Sequence, residues 1–476
     1  MFHNKIESQP SEDALLGGFL PDPPAGAGPD AEAYLEDDRD LVWHHLTRHE
    51  GALFPLMVKG EGLRLWDVNG KEYLDATSGG VWCVNLGYGR KEIVEAAAAQ
   101  LLRLPYYVGS AGNLPSVDLA RALLKHAPGL SRVYFSSSGS EANEKAFKMI
   151  RLVSYLKKDS RSKILYRDRD YHGTTLGALS SCGQKERSLG FGPFVPGFEE
   201  VPAVYCYRCS FKKSYPDCDL ECARAVEEVI LRTGPETVGG AVFETVTAGG
   251  GILVPPPEYW PEVQSVLKKY DVALILDEVV TGLGRTGAMF AYDHYGIQPD
   301  LLTLAKGVAS AYLPISLTLA TEKIFQDLQS GSGVLGYFRD ISTFGGSAAA
   351  AAAAYANLKI IERDNLVERV KAMGEVLIGS LSEFLKHPNV GDVRGVGLLA
   401  GVEFVSSKDA RSPLPEELVV KVAVEMAKLG VLVGRTNRSV PGGNNIINFA
   451  PAYFVTEEDV SRICQAFGEA LKRVLG

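Results

Sequence analysis

The chain has 476 residues, 46% hydrophobic and 22% charged, an ordinary balance for a soluble globular protein and too long for one simple core. Its net charge of −9 is mostly local: residues 1–40 hold ten acids and two bases, a balance of −8, so the remainder is near neutral and nothing is basic enough to hold nucleic acid. No run of about 18 apolar residues argues for a membrane span, and the N-terminus lacks the basic-then-apolar layout of a secretion signal, so a cytoplasmic location is expected.

Residues 1–40, acidic and punctuated by Pro21, Pro23, Pro24, Gly26, Gly28 and Pro29, are expected to form a flexible leader. Residues 41–75 carry the pattern Leu63-Arg-Leu-Trp-Asp-Val-Asn-Gly70, which predicts a hairpin and a segment that joins a smaller domain. Residues 76–345 alternate strand and helix patterns, the sign of an α/β domain doubly wound around a mainly parallel sheet. Residues 346–476 complete a smaller α+β domain. Leu418, Val422, Met426 and Ala427 predict one amphipathic helix, ended by Gly430; Val460, Ile463, Cys464, Phe467 and Leu471 predict another, begun at Thr456.

Within the large domain, Arg132-Val133-Tyr134-Phe135 reads as a strand, Ser136 to Ser140 as a loop and Glu141 onward as a helix. Its apolar stripe is Ala142, Ala146, Met149, Ile150 and Val153. A small-residue loop feeding a helix N-terminus offers free N–H groups to an anion, so Gly139 and Ser140 are candidates for a phosphate cradle. The same residues also suit a serine-rich N-cap without a ligand. The loop is neither a Walker loop nor a GxGxxG fingerprint.

Four of the seven cysteines fall within Cys206-Tyr-Arg-Cys209 and Cys218-Asp-Leu-Glu-Cys222. In a reducing compartment this spacing suits a structural zinc site or free thiols better than disulfides. No catalytic metal is expected, because four cysteines would leave no open coordination position.

Further along, Leu274-Ile-Leu-Asp277-Glu-Val279 and Leu304-Ala-Lys306-Gly set a carboxylate and an amine just past apolar runs, 29 residues apart. Parallel strands deliver such groups to a crevice at the carboxyl edge of the sheet. One amine and one carboxylate there are what pyridoxal phosphate requires: the amine condenses with the aldehyde, and the carboxylate keeps the ring nitrogen protonated. An aspartate about 4 Å from a pyridinium is worth on the order of 4 kcal/mol at an effective dielectric near 20. Lys306 must be partly buried or lie beside another cation to have a lowered pKa and act as a nucleophile.

The motifs GGVWCVNLGYG (79–89), SSSGSEANEKAFK (136–148), YHGTTLGALS (171–180), LILDEVVTGLGRTG (274–287), LAKGVASAYLPIS (304–316) and STFGG (342–346) resemble, in order and spacing, the class III aminotransferases of fold type I. The resemblance covers roughly residues 41–476. GGVWCVNLGYGR, GSAGNLP (109–115) and TAGGG (247–251) are most similar to ω-amino acid:pyruvate aminotransferases of the taurine:pyruvate type.

The resemblance implies that Lys306 condenses with the cofactor and shuttles the proton, that Asp277 meets the ring nitrogen, and that Val279 and Tyr171 cover the two ring faces. It implies phosphate contacts from Gly139, Ser140 and, across a homodimer or tetramer, Thr343 of a second subunit. Trp82 resembles the aromatic wall of the substrate pocket, and His172 resembles either an orienting group or a satisfied core residue. Arg435, or Arg438 beside it, would meet the carboxylate of a keto acid acceptor such as pyruvate, and the donor would be an amine such as taurine or β-alanine.

Two positions depart from the family pattern: Thr245 follows Glu244 where proline is usual, leaving Glu244 as a substrate-side carboxylate, and Ser347 follows STFGG. A related aminomutase or decarboxylase would share the cofactor motifs. A silent scaffold built around the four cysteines would not need Lys306 and Asp277.

Overall fold

A computed structural model describes residues 26–47, 55–436 and 443–476. The last part of the acidic leader, Pro29–Leu41, is helical. Proline sits in its first turn with Asp30 and Glu32, Arg39 lies in its last, and Ala31 is fully buried. Those residues complement the helix dipole and pre-set the first turn, which offsets the charge repulsion read from composition.

Strands β1 (Met57–Glu61), β2 (Arg64–Asp67) and β3 (Glu72–Asp75) follow, paired antiparallel in sequence order. The hairpin between β2 and β3 falls where Leu63–Gly70 predicted it. Asp67 Oδ1 accepts the backbone N–H groups of Asn69 at 3.0 Å and Lys71 at 2.9 Å, an aspartate closing its own turn.

The large sheet has seven strands: β4 (Leu130–Ser136), β5 (Lys163–Arg167), β6 (Phe198–Val201), β7 (Val238–Glu244), β8 (Ala273–Asp277), β9 (Leu301–Leu304) and β10 (Ser316–Thr321). Their order is β4-β10-β9-β8-β7-β5-β6. The strands from β9 to β6 are mutually parallel, and β10 runs antiparallel to both of its neighbours. Strands covered on both faces read as continuous apolar runs, and Leu274, Ile275 and Leu276 are indeed buried. Register then aligns the strand ends: Glu244 pairs with Asp277, and Asp277 with Thr303.

The C-terminal part builds β11 (Val390–Gly395), β12 (Ala400–Ser407), β13 (Ser412–Pro413), β14 (Val431–Leu432), β15 (Gly434–Arg435) and β16 (Ile446–Phe449). Strand β14 pairs parallel with β3, so the first sheet is closed by the last quarter of the chain. The two predicted amphipathic helices are Glu416–Lys428 and Glu457–Leu475. Thr456 caps the second in a reciprocal box with Asp459, and Gly430 follows the first at φ +80°. No helix among the described residues is long and apolar enough to cross a membrane.

The large domain and the C-terminal part are tied together by Arg285, whose side chain is fully buried. Nη1 donates to the carbonyls of Leu398 at 3.0 Å and Pro451 at 2.7 Å, and Nη2 to Ser78 Oγ at 3.1 Å and Asn85 Oδ1 at 2.6 Å. The guanidinium also stacks on Tyr453, 4.9 Å from its ring centroid. Neutral oxygens take the place of a counter-ion, and burial pushes the Arg285 pKa below its usual range.

Replacing Arg285 by alanine strands several buried acceptors, each costing about 1–3 kcal/mol. The Arg285→Ala protein should therefore lose at least about 3 kcal/mol of unfolding free energy, read from the urea midpoint at unchanged slope. A midpoint within error of the parent would deny Arg285 this role.

Candidate active site

The crevice forms where β7, β8 and β9 end. Asp277, the last residue of β8, is 3% exposed and its carboxylate accepts three hydrogen bonds. Oδ2 takes Asn143 Nδ2 at 2.7 Å and lies 2.8 Å from His172 Nδ1; Oδ1 takes the backbone N–H of Val279 at 3.0 Å. Each carboxylate oxygen has two acceptor sites, so Oδ2 is filled and Oδ1 keeps one lone pair for a further donor. Asn143 is fixed in turn, accepting from Thr303 Oγ1 at 2.9 Å and donating to the His172 carbonyl at 2.8 Å. His172 is thus an orienting group against Asp277, and its Nε2 is buried without a partner among the described residues.

Lys306 opens the turn after β9 with φ +42°, a left-handed conformation that costs a lysine about 1–3 kcal/mol and marks a functional position when its surroundings enforce it. Asn357 Nδ2 enforces it by donating to the carbonyls of Gly307 and Val308, both at 2.9 Å. Gly307 cannot carry a side chain, because a Cβ there would meet Asn85 Nδ2 at 2.1 Å. Burial pushes the half-buried Lys306 amine below the usual lysine range. The charges of Asp277, Glu244 and Cys83 pull it partly back, and that of Arg187 adds to the depression.

The predicted anion cradle is the N-terminus of helix Gly139–Lys157. Ser138 caps it by accepting from Glu141 N–H at 3.3 Å, and Glu141 itself takes the N–H of Ser137 at 2.6 Å. The N–H groups of Gly139 and Ser140 keep no intrahelical acceptor and stay available to an anion. A Cβ at position 139 would lie 3.1 Å from Val279 Cγ1 and 3.7 Å from Ala305 Cβ, so the cradle touches the segments that carry both Asp277 and Lys306. Ser140 Oγ accepts from Thr174 N–H at 3.0 Å, and Gly173 is glycine because a Cβ there would strike Ser140 Oγ at 2.4 Å. An amine, a carboxylate with one vacant acceptor site and an unpaired helix terminus around one crevice fit pyridoxal phosphate.

Tyr171 is half-buried beside them, its backbone N–H held by Glu244 Oε1 at 2.8 Å. Glu244 Oε2 takes the N–H of Ala248 at 2.9 Å. Each Glu244 oxygen thus takes one backbone donor, and burial, with Asp170 and Asp277 nearby, raises its pKa well above the carboxylate range. Glu244 holds the Tyr171 backbone in place. Thr245, in the place of the expected proline, donates to Glu278 Oε1 at 2.8 Å; burial pushes Glu278 up to about 7.

Trp82 lies in the irregular turn Ser78–Trp82, anchored by Asp75, whose Oδ2 takes Gly79 N–H at 2.6 Å and Tyr88 O–H at 2.8 Å. The indole donates to Asn448 Oδ1 at 3.2 Å and lies 5.8 Å from Lys306 Nζ, centroid to nitrogen.

Thr343 is exposed, on a loop whose Ser342 donates to Glu141 at 3.2 Å. Arg435 pairs with Glu416 at 2.6 Å, and Arg438 lies outside the described residues. Sequence reasoning missed Asn143, Asn357 and Arg187; the last lies 4.3 Å over the Tyr171 ring. The four clustered-in-sequence cysteines form no disulfide. Burial raises Cys206 and Cys222, the latter to about 11, and no group of His, Cys, Asp or Glu among the described residues could hold a metal ion.

The aminotransferase class-III family model matches residues 46–471. A taurine–pyruvate aminotransferase of Rhodobacter capsulatus is 50% identical over 454 residues, covering 94% of this chain and 98% of that protein. Among solved structures, a Bacillus anthracis aminotransferase superposes with a TM-score of 0.91 at 38% identity, covering 94% of this chain and all of that one. An ω-transaminase from Pseudomonas jessenii, solved in complex with PMP, gives 0.88 at 33% identity, over 92% and 98% of the two chains.

The depressed Lys306 amine should show in competitive reductive methylation of cofactor-free protein read by mass spectrometry, with a midpoint below the ordinary lysine value of about 10.4. Because Asp277 raises the Lys306 pKa, Asp277→Asn should move that midpoint further down. A midpoint at or above the ordinary value would contradict the electrostatics described.

Proposed function

The chain belongs to the class-III aminotransferase family, and from that premise we propose that it moves an amino group from an ω-amino donor such as taurine or β-alanine to pyruvate or a similar keto acid. The observation that carries this reading is the convergence of Lys306, Asp277 and the Gly139 helix terminus on one crevice. The donor class is supported by the half-identical Rhodobacter relative and its name.

Pyridoxal phosphate, when bound, supplies an aldehyde that captures amines and a pyridinium ring that accepts electron density. Gly139 and Ser140 would bind its phosphate through their N–H groups, and the vacant site on Asp277 Oδ1 would hold the proton on the ring nitrogen. Asn143 and His172 keep that carboxylate from turning. Val279 and Tyr171 would cover the two faces of the bound ring and so hold its plane. Lys306 Nζ, once free, would accept the proton from the donor carbon bearing nitrogen and hold it for return to the reacting atoms. Trp82 walls the pocket that receives the donor chain. Arg435 leaves Glu416 to meet the acceptor's carboxylate, a bidentate match for a planar anion.

We read the working unit as a homodimer in which Thr343 of a second copy reaches the phosphate. Supporting this, the Thr343 loop carries exposed Ile341 and Phe344, and Phe344 meets exposed Tyr106 at 5.8 Å between ring centroids. An apolar rim of that kind beside a polar site is the usual mark of a covered surface.

With purified holoenzyme and no acceptor, taurine or β-alanine should abolish the long-wavelength band of lysine-bound cofactor, and pyruvate should restore it while alanine forms. Lys306→Ala should lose at least about 10²–10⁴-fold in turnover from proton transfer alone. Asp277→Asn should lose roughly a thousandfold, the equivalent of about 4 kcal/mol of pyridinium stabilisation. Full activity in Lys306→Ala would remove the assignment.

A further inference from the structure

Arg187 lies in the short helix Lys185–Ser188, outside every motif that pointed to the cofactor. Its Nε donates to Gln184 Oε1 at 2.6 Å, and Gln184 is itself buried, with Nε2 3.2 Å from the Arg169 carbonyl. The guanidinium carbon sits 4.3 Å over the ring of Tyr171, a stacking that fixes its plane. So the group is held on two sides, yet no carboxylate among the described residues pairs with it.

Its neighbours differ. Arg167 pairs with Asp170 at 3.1 Å, Arg394 with Glu403 at 2.8 Å and Arg435 with Glu416 at 2.6 Å. The adjacent Glu186 is turned away, accepting from Asn444 Nδ2 at 3.0 Å. A preoriented guanidinium with both Nη groups uncommitted is a receptor for a forked oxyanion. The Tyr171 ring on which it stacks borders the cofactor crevice, and the charge of Arg187 is felt by Lys306.

We propose that Arg187 binds the acidic far end of the amine donor, sulfonate or carboxylate, and so sets a preference for ω-amino acids over uncharged amines. This rests on the transaminase reading above. It divides the work between two cations: Arg187 holds the donor's acid, and Arg435, which must first break its bond to Glu416, serves the acceptor. A cation already free suits the substrate that arrives first, and the fork accepts two oxygens of either a sulfonate or a carboxylate. Amine and acid at opposite ends of a two-carbon donor would then be fixed at once, one at the cofactor and one at Arg187.

The test compares first-half-reaction kcat/KM for taurine, β-alanine and propan-1-amine in wild type, Arg187→Gln and Arg187→Lys holoenzymes. Arg187→Gln should lose about tenfold to a hundredfold for both acidic donors relative to propan-1-amine, and Arg187→Lys should recover part of that ratio. An equal loss for all three amines would make Arg187 only a support for Tyr171 and overturn the proposal, as would an unchanged ratio. Should Arg187→Gln fail to load cofactor, inhibition of propan-1-amine by propane-1-sulfonate decides: it should weaken in Arg187→Lys, and equal inhibition in wild type and variant would overturn the proposal. A wild-type holoenzyme that converts none of the three amines would defeat the transaminase reading itself, and not the assignment of Arg187 alone.

Discussion

A carboxylate 3% exposed at the end of a parallel strand is tolerable only if donors surround it, and the cofactor crevice is organised around that need at Asp277. Asn143 comes from the Gly139 helix, His172 from the turn after β5, and Val279 N–H from the chain's own next turn. Satisfying one buried charge therefore fixes the relative positions of three segments. Because Thr303 on β9 holds Asn143, strand register is transmitted to the same carboxylate.

The opposite demand is made at Lys306. Its amine must be pulled away from its ordinary basicity while two acids, Asp277 and Glu244, pull it back. Burial wins, and the left-handed backbone that presents the amine is held by Asn357 and by the close approach of Asn85 to Gly307. Glu244 shows how these demands are kept apart. Its oxygens are bound to the N–H groups of Tyr171 and Ala248, so the second acid close to the amine is anchored to backbone at a fixed place.

Much of this was legible in the chain. Apolar runs ending in Asp277 and just before Lys306, and a small-residue loop entering an amphipathic helix at Gly139, are local signals that translate directly into strand ends and a helix terminus. What escaped were partners. Asn143 looks like one more polar residue in a helix until its amide meets Asp277, 134 positions away. Glu244 drew a substrate role because backbone donors leave no trace in side-chain identity. Arg435 was read from its position after Gly430, while Glu416, which occupies it, sits in a helix notable only for its apolar stripe. The cysteine spacing suggested convergence that the fold does not turn into a metal-holding group among the described residues. The acid run before Leu41 suggested disorder, but placed in a helix's first turn, Asp30 and Glu32 stabilise it.

The parallel pairing of β3 with β14 bears on how the molecule is made. Leu74 N–H bonds the Gly430 carbonyl at 2.8 Å, and Trp82 bonds Asn448, contacts spanning about three-quarters of the chain. During synthesis the large sheet, from β4 to β10, can be complete before residue 430 leaves the ribosome, whereas the first sheet must wait with an unpaired edge. The elements that grip a cofactor thus mature ahead of the wall that selects its substrate. A nascent chain in that interval would be a phosphate-binding platform with an open side, and its last folding step is the one that confers discrimination.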